Sequence, residues 1–130
     1  GTTRKTEEVL SSFNVANNMD ALDQKKILVK RGVDALTSGQ LGDFGRLLGE
    51  SWSTKRVANT KTTTSEIDLM YEKIMEAGAL GGKVIGAGGG GFMLAMFPAS
   101  KRNKVRESLK EYKEMPFRFT DFGSKVLLNL

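Results

Sequence analysis

Apolar positions in the first two thirds of the chain recur at helical spacing, and in the last third they alternate or run together. Thr6 followed by Glu7 and Glu8 suits a helix start, with Val9, Leu10 and Phe13 as a short apolar face. A second helix is predicted from near Asn18 or Asp20, with Leu22, Val29, Val33 and Leu36 on one face and Ser38-Gly39 as its end. Leu41, Phe44, Leu48 and Trp52 form the apolar stripe of a third helix, and Gly42, Gly45 and Gly49 form a second stripe beside it. A glycine inside a helix costs about 0.8–1 kcal/mol relative to alanine, so three in register predict close approach by another backbone. Thr60 to Ser65 is a polar break in which Thr63 and Glu66 have capping-box spacing. Ile67, Met70, Tyr71 and Ile74 then give a fourth amphipathic helix that stops at Gly78.

After Gly78 the period changes. Lys83-Val84-Ile85 and Phe92 to Phe97 read as short strands on either side of a glycine run. Phe92-Met93-Leu94-Ala95-Met96-Phe97 is apolar at every position, which predicts a central strand covered on both faces and stopped by Pro98. Lys101 to Lys113 reads as a charged helix carrying Val105, Leu109 and Tyr112. Phe117 and Phe119, and then Val126, Leu128 and Leu130, fall at strand spacing. The expected architecture is α+β, with a mainly antiparallel four-stranded sheet packed with helices in a single domain covering residues 1–130.

Composition narrows the chemistry. The chain has neither cysteine nor histidine, which excludes disulfides, thiolate sites and the commonest general base and metal ligand. Any metal would rest on carboxylates, phosphates and water, as Mg²⁺ does. The net charge of +5 favours phosphorylated metabolites, nucleotides or nucleic acid as partners, or simply a solvated basic surface. No apolar run approaches the length of a membrane span and no signal peptide is visible, so a cytoplasmic setting is expected.

The glycines concentrate in Gly86-Ala87-Gly88-Gly89-Gly90-Gly91. The run matches the dinucleotide fingerprint literally, but that turn opens a helix, and here a strand follows. A Walker loop ends in Gly-Lys-Ser/Thr, whereas Phe92 and Met93 follow Gly91. Asp43-Phe44-Gly45 and Asp121-Phe122-Gly123 spell the protein-kinase metal tripeptide without the rest of that signature. What remains is physical: consecutive glycines permit positive φ, leave N–H groups unshielded and let a phosphate or another loop approach closely. A tightly packed hairpin without a ligand would use the same residues.

In this setting Gly81-Gly82-Lys83-Val84-Ile85 followed by the glycine run and Phe92 resembles the third motif of the GHMP kinases. Gly1-Thr2-Thr3-Arg4, Leu47-Leu48-Gly49-Glu50-Ser51-Trp52 and Glu66-Ile67-Asp68-Leu69-Met70-Tyr71 extend the likeness to the branch containing D-glycero-D-manno-heptose 7-phosphate kinases. The resemblance implies a ferredoxin-like C-terminal domain of an ATP- and Mg²⁺-dependent sugar kinase. The Gly-Ser-Ser phosphate loop, metal ligands and catalytic acid of that family belong to an N-terminal half that this sequence does not contain. On that basis the fragment alone is expected to be inactive. Gly86, Ala87, Gly88, Gly89, Gly90 and Gly91 are then expected to support the nucleotide phosphates, and Arg4 and Lys83 to meet the phosphate of a sugar phosphate whose anomeric hydroxyl is the acceptor. Ser51 and Lys55 are assigned to helix packing ahead of the cleft. No residue of this chain is assigned a catalytic or metal-ligand role. An inner face left uncovered would favour self-association into a homo-oligomer. The competing reading is a basic, ferredoxin-like nucleic-acid-binding or interaction module, with Gly91 to Phe97 echoing an RNA-binding aromatic strand.

Overall fold

The computed structural model describes residues 19–86 and 88–123. The expected first helix, Gly1 to Arg4, Ala87 and the expected strand at Val126 to Leu130 lie outside the described residues. In order, the described elements are α1 (Met19–Thr37), α2 (Leu41–Ala58), a 3-10 turn (Thr60–Thr62), α3 (Ser65–Glu76), β1 (Gly81–Ile85), β2 (Phe92–Met96), a second 3-10 turn (Ala99–Lys101) and α4 (Arg102–Ser108).

Both glycine stops operate as the spacing predicts. Gly39 has φ 71° and Gly78 φ 101°, in the left-handed region that glycine enters without Cβ strain. At the first stop Gln40 N–H donates to Ala35 O at 2.8 Å and Gly39 N–H to Leu36 O at 3.2 Å. At the second, Ala79 N–H donates to Ile74 O at 2.9 Å and Gly78 N–H to Met75 O at 3.0 Å. This paired pattern satisfies helix carbonyls that would otherwise be orphaned. The cap of α3 falls one residue later than the spacing predicts: Thr64 accepts from Ile67 N–H at 3.3 Å, while the Thr63 hydroxyl donates to Asp68 at 2.7 Å.

The buried face of α1 is offset from the predicted one. Leu28, Gly32 and Ala35 are buried against α2, with Leu47 in the same cluster and Phe44 packed on it. Val29, Val33 and Leu36 lie exposed beside that seam. Gly32 packs on the Phe44 ring, where a Cβ would lie at an ordinary contact distance of 3.7 Å. An exposed Arg31–Glu50 ion pair at 3.1 Å also joins α1 to α2, a type of contact worth under about 1 kcal/mol.

The glycine stripe of α2 has the predicted consequence at two of its three positions. A Cβ on Gly81 would lie 2.1 Å from Gly45 O and 2.9 Å from Gly49 N, so helix and strand touch backbone to backbone. Gly42 faces only the Arg46 guanidinium at 4.0 Å. Trp52 is fully buried with Ile67 and Val84, which locks α2, α3 and β1 together. A second cluster, Ile74, Ala77, Ala79 and Val105, seats α4 on α3 with Met93, Ala95, Phe97 and Leu109 around it.

β1 and β2 pair antiparallel, with Gly81 opposite Met96 and Ile85 opposite Phe92. The expected four-stranded sheet is two-stranded among the described residues. Residues 113–120 take no strand pairing; Phe117 and Phe119 stack edge to face at 5.6 Å and are both exposed. Alternating apolar residues make a strand only where a neighbouring edge supplies hydrogen bonds, and none of the described residues supplies one there. Nor is β2 covered on both faces: Phe92 is exposed and Met93 to Met96 are half-buried.

Candidate functional site

The glycine run is the loop of the β1–β2 hairpin. Gly86, Gly88, Gly89 and Gly91 have φ of 93°, 108°, 71° and 104°, conformations that L side chains rarely adopt. The loop is held from below by the turn at Thr60–Thr62. Gly89 N–H donates to Thr62 O at 2.8 Å, and a Cβ on Gly88 would meet Thr62 O at 2.7 Å and its Cα at 2.8 Å. Thr62 is itself fixed: it is buried, and its hydroxyl donates to Asn59 O at 2.7 Å. The Asn59 side chain in turn caps the turn by accepting from Lys61 N–H at 2.9 Å. Two of the candidate phosphate-facing glycines, Gly88 and Gly89, are thus committed to this seat. Gly86 differs, since nothing lies within 4 Å of where its Cβ would be.

α2 runs alongside β1 in the same direction. Contacts step forward together, from Gly45 and Gly49 on Gly81, to Ser51 on Lys83, to Lys55 on Gly86. Lys83 donates to Ser51 Oγ at 3.2 Å, and Lys55 donates to the Gly86 carbonyl at 2.6 Å. Ser51 and Lys55, expected to serve helix packing, therefore face the same cavity as Lys83. That cavity, of about 520 Å³, is the groove between α1 and α2, and Lys25 of α1 completes its polar end. The displaced α1 stripe, Val29, Val33 and Leu36, forms its apolar wall.

Charge has accumulated at this end of the groove. Burial, followed by repulsion from Lys83 and Lys25, holds the Lys55 ammonium below the ordinary lysine pKa. Burial and then Lys25 do the same to Lys83. Burial pushes the nearby Tyr71 phenol up, against a smaller opposing pull from Arg56. Each of these shifts records a charged form that is costly in place. Lys83, one candidate phosphate ligand, thus sits in a cationic cleft next to the loop. Arg4, the other, lies outside the described residues. No group of three carboxylates able to hold a metal ion occurs among the described residues. No helix among the described residues is long and apolar enough to cross a membrane.

Thr62 carried no signal in the sequence, and Lys55 was weighed for the cleft but placed behind helix packing. Thr62 sits in a featureless polar break. Lys55 lies 31 positions before the carbonyl it holds, and no local pattern spans that distance.

The GHMP kinase C-terminal family (GHMP kinases C terminal) matches residues 33–114, from the groove wall through the hairpin to the turn after α4. This chain belongs to the GHMP kinase C-terminal family. Among similar proteins, a D-glycero-alpha-D-manno-heptose 7-phosphate kinase of Campylobacter jejuni is 33% identical over 109 residues, covering 82% of this chain and 31% of that protein. A galactokinase of Mycobacterium tuberculosis is 32% identical over 101 residues, covering 74% of this chain and 28% of its own length. The GHMP domain described here therefore spans about a third of the length of the curated relatives it matches. Its fold is shared with L. major mevalonate kinase, solved in complex with R-mevalonate, at a TM-score of 0.70 and 22% identity, over 85% of this chain and 36% of that one.

Proposed function

We propose that this domain is the C-terminal part of an ATP-dependent sugar kinase, in which the β1–β2 glycine loop backs the nucleotide phosphates. The observation that carries the reading is the loop itself. The loop holds four glycines at positive φ, is seated on Thr62 through Gly88 and Gly89, and starts beside the Lys55 ammonium, with Lys83 just before it on β1. Phosphoryl transfer depends on positioning and on stabilising charge, and a seated, glycine-rich loop beside cations serves both.

ATP and Mg²⁺ would be held mainly by the N-terminal portion of a longer polypeptide, and the 130 residues alone would be inactive. Bound ATP–Mg²⁺ supplies the phosphoryl group and the metal that neutralises its charge. Within this chain, the open side of Gly86 allows close approach, Gly88 and Gly89 keep the loop on its seat, and Lys83 faces the anionic end of the acceptor. The acceptor we favour is D-glycero-D-manno-heptose 7-phosphate, phosphorylated at its anomeric hydroxyl. Similarity to the Campylobacter jejuni enzyme supports that choice, and the cationic groove suits an acceptor that already carries a phosphate.

An acceptor panel tests the assignment. The full-length polypeptide is expected to consume ATP with heptose 7-phosphate at a kcat/KM at least about tenfold above that with galactose or mevalonate. Equal or greater efficiency with either unphosphorylated acceptor would overturn the heptose assignment.

A further inference from the structure

The groove between α1 and α2 has an apolar wall and, among the described residues, a cationic polar end. Lys25, Lys55, Lys83 and Ser51 make up the polar end, and none of the described residues that line the cavity is a carboxylate. The nearest acidic residue in sequence, Glu50, is turned away onto Arg31. The hydrogen bonds already made leave donors to spare. An ammonium has three N–H groups, of which Lys55 spends one on the Gly86 carbonyl and Lys83 one on Ser51 Oγ. Ser51 accepts from Lys83 there, which frees its own O–H to donate. Donors and positive charge thus converge from α2 and β1 on one end of the groove.

An acceptor-only dianion matches this set better than a carboxylate, because it offers three oxygens and up to two charges to donors arriving from different elements. The size of the cavity suits a small molecule rather than a polymer. We propose that Lys55, Lys83 and Ser51, with Lys25 at the rim, form a binding site for the phosphate group of a phosphorylated small molecule. The uncharged part of the ligand lies along the Val29–Val33–Leu36 wall. Because Lys55 also holds Gly86, occupancy of the groove bears directly on the first residue of the glycine loop. The site stands on these side chains whatever the reaction; its use as the seat of the acceptor's phosphate rests on the kinase reading above.

The test is a titration of the lysine-labelled 130-residue chain, following the Cε and Hε signals by NMR. Inorganic phosphate and glucose 6-phosphate are compared with glucose and with sodium chloride at matched ionic strength. Saturable shifts at Lys55 and Lys83 are expected with both phosphates, along with a rise in the pKa of each toward the ordinary lysine value. Neither control should produce them. Lys83→Met and Lys55→Met should each weaken glucose 6-phosphate binding about tenfold or more, as loss of one charge-assisted contact does. Lys110→Met, which removes an exposed ammonium paired with Glu107, should leave it unchanged. If Lys55→Met fails to fold without its tie to Gly86, Ser51→Ala keeps both charges and should weaken binding several-fold. Non-saturating shifts, an equal response to chloride, or a response at Lys110 as large as at Lys55 would overturn the site. Binding without any ATP turnover by the full-length polypeptide would leave the site standing and remove only the kinase reading.

Discussion

At Gly81 a single hydrogen atom separates a strand from a helix. A methyl group there would lie 2.1 Å from the Gly45 carbonyl oxygen, and both partners are backbone, so neither side chain can rotate away. Gly81→Ala is therefore expected to destabilise the chain by about 3 kcal/mol or more in urea unfolding. Gly42→Ala provides the contrast. Its Cβ meets only a flexible guanidinium, and removing a glycine from a helix should stabilise by about 0.5 kcal/mol. Gly42 and Gly45 look alike in the sequence, and only the approach of β1 to Gly45 separates them. Lys83 shows the same limit. Its position beside the glycine loop was readable, but its partners, Ser51 on another element and Lys25 on a third, were not, because they are brought together by packing alone.

At the scale of elements, the helices were legible wherever a glycine stop or a clear period marked them. α1, α2 and α3 and both Schellman-type ends follow the expected pattern. The faces were less legible. On α1 the larger residues Val29, Val33 and Leu36 suggested the core, yet the smaller Gly32 and Ala35 pack inward. The bulkier residues line the groove between α1 and α2 instead. The expected strand at Phe117 and Phe119 failed because alternation reports a candidate strand but not the edge it needs. The groove between α1 and α2 also has a consequence for pH. Lys55 and Lys83 are more easily deprotonated in the folded state than in the unfolded chain. Between the depressed and the ordinary lysine pKa the unfolded chain binds more protons, so folding stability rises with pH through that window. Tyr71, raised by burial, acts in the opposite sense, but it is common to the native chain and to Lys83→Met. The stability of the native chain relative to Lys83→Met should therefore increase as pH rises from neutral toward the ordinary lysine range. A flat or falling difference in urea unfolding would show that the lysines are not held together in the fold.

For the molecule as a whole, the glycine hairpin that marks the family also organises the described core. It sits on the backbone of α2, meets Trp52 through Val84, and ends on the Thr62 turn. The family was legible because this loop leaves little freedom in sequence: positive φ and backbone contact admit glycine and little else. The cationic groove was not, since it draws on residues far apart in the chain. The central claim, that the loop supports phosphoryl transfer, is tested most directly by ³¹P NMR of the full-length polypeptide with ATP, Mg²⁺ and heptose 7-phosphate, native and with Gly88→Val. The added isopropyl group would push the loop off Thr62, and displacement of a supporting wall by about 1 Å can cost roughly a hundredfold in turnover. A new anomeric phosphate signal with the native protein, reduced about a hundredfold in a variant that is still folded by circular dichroism, is the predicted result. ATP left intact by the native protein, or equal turnover by the folded variant, would contradict the account.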